Sequence, residues 1–123
     1  MNAVKNSNKT RLESFRVAHE GLWHAINHQR NFQIQLIIGA VVLIAALWLG
    51  FTRIEWLVLI ITIALVLAAE LLNTVVEVVV DLAVKERLIP DAKIAKDVSA
   101  AAVLLISIFS VVIGLILFVP YLF

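Results

Sequence analysis

Three long stretches of this chain carry no charged residue, and that limits its fold more than any other feature. Nothing is charged between Arg30 and Arg53, between Glu55 and Glu70, or after Asp97. A helix that crosses a bilayer needs about 20 mostly apolar residues. The pattern therefore predicts membrane spans at 32–49, 56–80 and 98–123, with Gly50 stopping the first. Of the 123 residues, 63% are hydrophobic and 15% charged, against roughly 25% charged in an average soluble domain. So short a chain cannot bury that much apolar surface in one core, and so apolar a chain does not stay disordered. The expected fold class is all-α: a single integral-membrane domain over 1–123, with three transmembrane helices.

Charge then orients the spans. Lys5, Lys9, Arg11, Arg16 and Arg30 precede the first span, and only Arg53 stands between the first and second. Lys85, Arg87, Lys93 and Lys96 follow the second span, and no basic residue follows the third. The positive-inside rule puts the N-terminus and the 82–97 loop in the cytoplasm and the C-terminus outside. The first apolar run has no small-residue cleavage pattern, so it is expected to remain as an anchor. A net charge of +1 gives no reason to expect a nucleic-acid partner. With no cysteine there is neither a disulfide framework nor a thiolate metal site.

Residues 11–28 follow a different pattern, within an N-terminal segment, 1–30, expected to stay cytoplasmic. At about 100° per residue, Leu12, Phe15, Ala18, Leu22, Trp23, Ala25 and Ile26 share one side. Glu13, Arg16, Glu20, His24, Asn27 and His28 share the other. Such a helix lies in the membrane surface with its apolar face down.

The second span carries residues that a lipid-facing helix excludes. Glu70, Asn73, Glu77 and Asp81 fall within roughly 80° of arc on an α-helix, with Thr74 beside them. Ionisable groups in a membrane helix are costly unless paired or hydrated, which marks them as functional. From Trp56 to Asp81 a helix rises roughly 37 Å, so Glu77 and Asp81 reach the cytoplasmic headgroups while Glu70 lies deeper. After Pro90, which ends helix propagation, Lys93, Lys96 and Asp97 return at the level of this stripe. Carboxylates that hold Mg2+, a lysine facing phosphate and a carboxylate near an acceptor hydroxyl are the parts of phosphoryl transfer. No P-loop or glycine-rich kinase loop is present. On residues alone two other readings stand: a small ion- or proton-coupled transporter with Glu70 as carrier, and a membrane assembly subunit whose polar stripe only specifies helix pairing.

The run Glu70-Leu71-Leu72-Asn73-Thr74, followed by Glu77, Asp81, Ala95-Lys96-Asp97 and Ala101-Ala102-Val103-Leu104, resembles the bacterial diacylglycerol kinase/undecaprenol kinase family. The likeness covers nearly the whole chain. It implies a homotrimeric membrane kinase that uses MgATP to phosphorylate a lipid hydroxyl, on diacylglycerol or undecaprenol, at the cytoplasmic face. By motif, Glu70 would be the general base and Glu77 a ligand of the ATP-bound Mg2+, with Asn73 supporting the site. Lys96 and Asp97 would contact the ATP phosphates, and Asp81 would lie on the nucleotide side, as would the loop at 86–88. Many relatives place a second metal-binding Glu where this chain has Gln29, a neutral oxygen donor in its place. Val75 stands where a small residue is usual. Between the two lipids, the 68–105 stretch is somewhat closer to the undecaprenol-type members. Gly39, Gly114 and the Ala100–Ala102 run would permit the close helix approach that membrane association uses, or are ordinary lipid-facing positions.

Overall fold

The computed structural model describes residues 10–85, 87 and 89–123 of the chain. Lys5, Lys9, Glu86 and Leu88 lie outside the described residues. Four helices follow in order: α1 (Arg11–His28), α2 (Arg30–Leu49), α3 (Arg53–Val84) and α4 (Pro90–Leu122). The last three are long and apolar enough to cross a membrane.

Local chemistry sets the ends of these helices. Thr10 caps α1, its hydroxyl accepting from the Glu13 amide at 3.3 Å. Gly50 closes α2 at φ 73°, a left-handed conformation that glycine adopts without steric cost. Two residues later Thr52 and Glu55 form a reciprocal capping box that starts α3, satisfying two amides the first turn leaves orphaned. Pro90 occupies the first position of α4, where its missing N–H is no loss. α4 therefore begins eight residues before the predicted third span, and Lys93, Lys96 and Asp97 sit on its opening turns.

Packing follows two seams. On α2, Phe32, Gly39 and Ala46 are buried at seven-residue intervals, and on α3 Leu59, Val66, Glu70 and Asn73 are buried along one face. Gly39 makes the α2–α3 approach close: a β-carbon there would stand 3.3 Å from Ile63 Cγ2. The chain thus uses this glycine to pack its own helices, which corrects its expected role between subunits. Ala100–Ala102 are exposed, and nothing lies within 4 Å of a β-carbon placed on Gly114.

The antiparallel α3–α4 pair is tied at both ends. Lys96 reaches Asp81 at 2.8 Å, and Tyr121 donates to Glu55 at the opposite end. The stretch 55–81 on α3 matches 96–121 on α4 to within one residue, so the two helices run in constant register. Phe51 packs against Trp56, Phe118 and Tyr121, closing that far end with aromatic surface. Elsewhere the spans leave most of their apolar surface uncovered. On α1, Leu12, Phe15, Leu22 and Trp23 are exposed, the unpartnered apolar face that the sequence pattern predicts.

Candidate active site

The acidic stripe of α3 divides by burial. Glu70 is 5% exposed and Asn73 8%, on the face of α3 that also buries Leu59 and Val66. Glu77 and Asp81 are exposed toward the end where α3 gives way to α4. At about 100° per residue Glu77 falls between Glu70 and Asn73 on the helix wheel, so its exposure comes from its position further along the axis, toward the end of α3, and not from its bearing. Thr74 turns back to its own helix, its hydroxyl donating to the Glu70 carbonyl at 3.1 Å.

Asn73 has a defined orientation. Its Nδ2 donates to Glu77 Oε1 at 3.3 Å, which points Oδ1 the other way. That oxygen is buried and has no hydrogen-bond partner. Buried polar atoms are nearly always satisfied, so an orphan of this kind calls for an explanation such as a water, an ion or a ligand. The Gly39–Ile63 contact sets the α2–α3 register. Ten residues along each helix toward the α1 end, Gln29 comes level with Asn73, about one turn from Glu77. By the same register Phe32, buried, is level with Glu70.

Gln29 is the single extended residue between α1 and α2 (φ −103°, ψ 104°). It is half-buried. The elbow is held by its amide donating to the Ala25 carbonyl at 2.9 Å and by Gln33 Nε2 donating to the Ile26 carbonyl at 2.8 Å. Val75, at the position where a small residue is usual, is exposed and does not pack behind Asn73.

A second cluster gathers where α3 ends and α4 begins. Asp81, Arg87, Lys93, Lys96 and Asp97 line one pocket, with Val80, Val84, Ile89 and Ala92 as its apolar walls. Lys96 pairs with Asp81 across the helices at 2.8 Å, and Lys93 pairs with Asp97 one turn along α4 at 2.5 Å. The adjacent Lys96 and Asp97 therefore have different partners, as their angular separation on a helix requires. Lys96 precedes the apolar stretch of α4. Its ammonium is held above the ordinary lysine range, first by the hydrogen bond to Asp81 and then by that carboxylate's charge. Arg87 and Lys93 belong to the pocket too: the sequence pattern puts Lys93 level with the acidic stripe, and the family resemblance puts the 86–88 loop on the nucleotide side.

Measured along α3, Asp81 and Glu77 lie about 16 Å and 10 Å from Glu70 at 1.5 Å per residue. The site is thus a column: a buried carboxyl and amide inside the apolar zone, an exposed carboxylate next, and a mixed-charge pocket at the end. Among the described residues, no three His, Asp or Glu side chains gather to hold a metal. One carboxylate beside an amide suits Mg2+, which binds through one or two carboxylates and takes its other ligands from phosphate oxygens and water.

These features define an all-helical membrane protein with a polar column leading from a buried carboxyl to charged groups at one end of its bundle. The model of the prokaryotic diacylglycerol kinase family matches residues 16–118. A protein of Synechocystis named diacylglycerol kinase is 46% identical over 109 residues, covering 89% of this chain and 62% of that protein. The undecaprenol kinase of Bacillus subtilis is 37% identical over 109 residues, 89% of this chain and 88% of the relative. A diacylglycerol kinase of Haemophilus influenzae is 31% identical over 107 residues, 87% and 91%. The chain belongs to the prokaryotic diacylglycerol kinase family.

Proposed function

We propose that the chain is an ATP-dependent kinase of a membrane lipid alcohol, diacylglycerol or undecaprenol, acting at the cytoplasmic face of a bacterial inner membrane. The observation that carries this reading is the column on α3: buried Glu70 and Asn73, then Glu77, then the Asp81–Lys96 bridge. Phosphoryl transfer from a water-soluble nucleotide to a lipid needs a site with one end in the headgroups and the other within reach of a hydroxyl in the apolar zone.

In this reading the lipid hydroxyl approaches Glu70 from the membrane. Its oxygen attacks the γ-phosphorus of ATP, the bond from that phosphorus to the β-bridging oxygen breaks, and ADP leaves. Glu70 takes the hydroxyl proton as general base. A carboxylate withdrawn from bulk water and within reach of the hydroxyl suits that task. Lys96 holds the nucleotide phosphates, with Asp81 fixing its ammonium toward them and Asp97 at the nucleotide through Lys93, whose ammonium it fixes beside them. Glu77 holds the nucleotide's Mg2+, and Asn73 fixes the Glu77 carboxylate through its amide. Gln29, level with Asn73, is placed to add a neutral oxygen. When bound, Mg2+ neutralises phosphate charge as it develops on the leaving group.

Three spans and a surface helix leave this column open on one side, so a homotrimer that closes it with a neighbouring subunit fits the exposed Glu77 and the uncovered apolar faces. In this arrangement the N-terminus is cytoplasmic and the C-terminus outside. The test is to incubate the purified protein in lipid micelles with MgATP, diacylglycerol and undecaprenol together. Formation of a lipid phosphate is expected, and the product reports the preferred lipid. A stable oligomer that makes none overturns the kinase reading in favour of a transporter or an assembly subunit.

A further inference from the structure

The polar face of α1 carries a pair of histidines that the kinase reading does not use. His24 and His28 stand one turn apart, their rings stacked with centroids 4.4 Å apart and planes 15° from parallel. Both are exposed. His28 Nδ1 faces the His24 carbonyl oxygen at 3.1 Å. A carbonyl only accepts, so Nδ1 is the donor, and the neutral His28 ring keeps its lone pair on Nε2. Metal-binding histidines are held in this way, one ring nitrogen donating to a backbone carbonyl while the other faces the ion.

We infer that His24 and His28 form a two-point site for a borderline transition-metal cation such as Zn2+ on the surface of α1. Two nitrogens bound to one zinc at about 2.0–2.1 Å stand no more than about 4 Å apart. The rings already share one patch of the helix surface, their centroids 4.4 Å apart, and rotation of the two exposed side chains about their χ torsions turns the stacked nitrogens to converge on one ion. Imidazole favours Zn2+, Cu2+ and Ni2+, whereas Mg2+ takes oxygen ligands, so this site does not compete for the ion bound with the nucleotide. No third ligating side chain groups with the pair among the described residues, and water fills the rest of the shell. An ion chelated across one helical turn binds only the helical form. Its occupancy therefore fixes the last turn of α1, next to the elbow at Gln29.

The test is calorimetric titration of the untagged full-length protein in micelles with ZnCl2, at constant excess MgCl2. One Zn2+ per chain is expected. Losing either ring removes the chelate gain, so His24→Ala and His28→Ala should each weaken binding on the order of 10²-fold. His19→Ala, on the same helix without an i+4 histidine, should leave it unchanged. Alanine is the better helix former, so the substitutions preserve α1. With Cu2+ as the probe, electron paramagnetic resonance should report two nitrogen ligands in the parent protein and one in each single variant. Absence of saturable Zn2+ binding, binding indifferent to His24→Ala and His28→Ala, or an equal loss in His19→Ala overturns the site.

Discussion

Replacing Glu70 by glutamine tests the proposed chemistry at one atom. The side chain is 5% exposed on the buried face of α3, so an isosteric amide fills the same space and creates no cavity. A neutral amide is also less costly to bury than a carboxylate, so Glu70→Gln should melt at the same temperature or higher and keep its oligomeric state. Its amide cannot take a proton from the lipid hydroxyl. General-base catalysis contributes on the order of 10²–10⁴ in rate, about 3–5 kcal/mol of barrier at 1.36 kcal/mol per tenfold. That loss should fall on kcat, with KM for MgATP unchanged, because the nucleotide end lies about 16 Å along α3. Glu70→Asp keeps the acid but withdraws it by one methylene, about 1.5 Å. Misplacement of about 1 Å costs on the order of 10²-fold, so this variant should fall between the two. The assay is initial-rate transfer of radiolabelled phosphate to lipid in micelles, with each variant's oligomer checked by gel filtration. Turnover of Glu70→Gln within about tenfold of the parent, outside the range a general base supplies, would show that this carboxyl does not abstract the proton.

Three further outcomes follow from the geometry. Lys96→Ala removes the exposed bridge to Asp81, an interaction of little structural weight at such exposure; thermal stability should change little, while KM for MgATP rises and kcat falls. Gln29→Glu places a carboxylate level with Asn73 and one turn from Glu77, so half-maximal activity should be reached at lower Mg2+ concentration, read from a Mg2+ titration of the initial rate. Gly39→Ala sets a β-carbon 3.3 Å from Ile63 Cγ2, and the overpacking should lower stability by about 1 kcal/mol, measured by thermal unfolding in micelles, with a larger loss for Gly39→Leu.

Much of the fold was legible without coordinates. Three uncharged runs leave only membrane helices, since backbone polar groups in lipid must be satisfied within the segment. Gly50, the Thr52–Glu55 pair and Pro90 mark helix ends by local chemistry that acts over three or four residues. The stripe of Glu70, Asn73, Glu77 and Asp81 was equally plain, because helical periodicity alone puts the four side chains on one arc. The resemblance carried by that stripe is matched by the family model over residues 16–118.

Burial and partnership were a different matter. Periodicity places Glu70 and Glu77 on one face, yet only the packed helices bury the first and leave the second open. Lys96 and Asp97 are neighbours in sequence, but the α3–α4 register gives Lys96 to Asp81 and leaves Asp97 to Lys93. Arg87 and Lys93 were expected near this end of the stripe, but only the turn at Pro90 puts them into one pocket with Asp81. Gly39 read as a contact between subunits, whereas the structure uses it between α2 and α3. The sequence by itself determined what each helix is and which way its polar face turns, because those properties depend on neighbours within a few residues. Which faces meet, which carboxyl loses its water and which charges pair depend on contacts between residues far apart in the chain, and only the packed helices decide them.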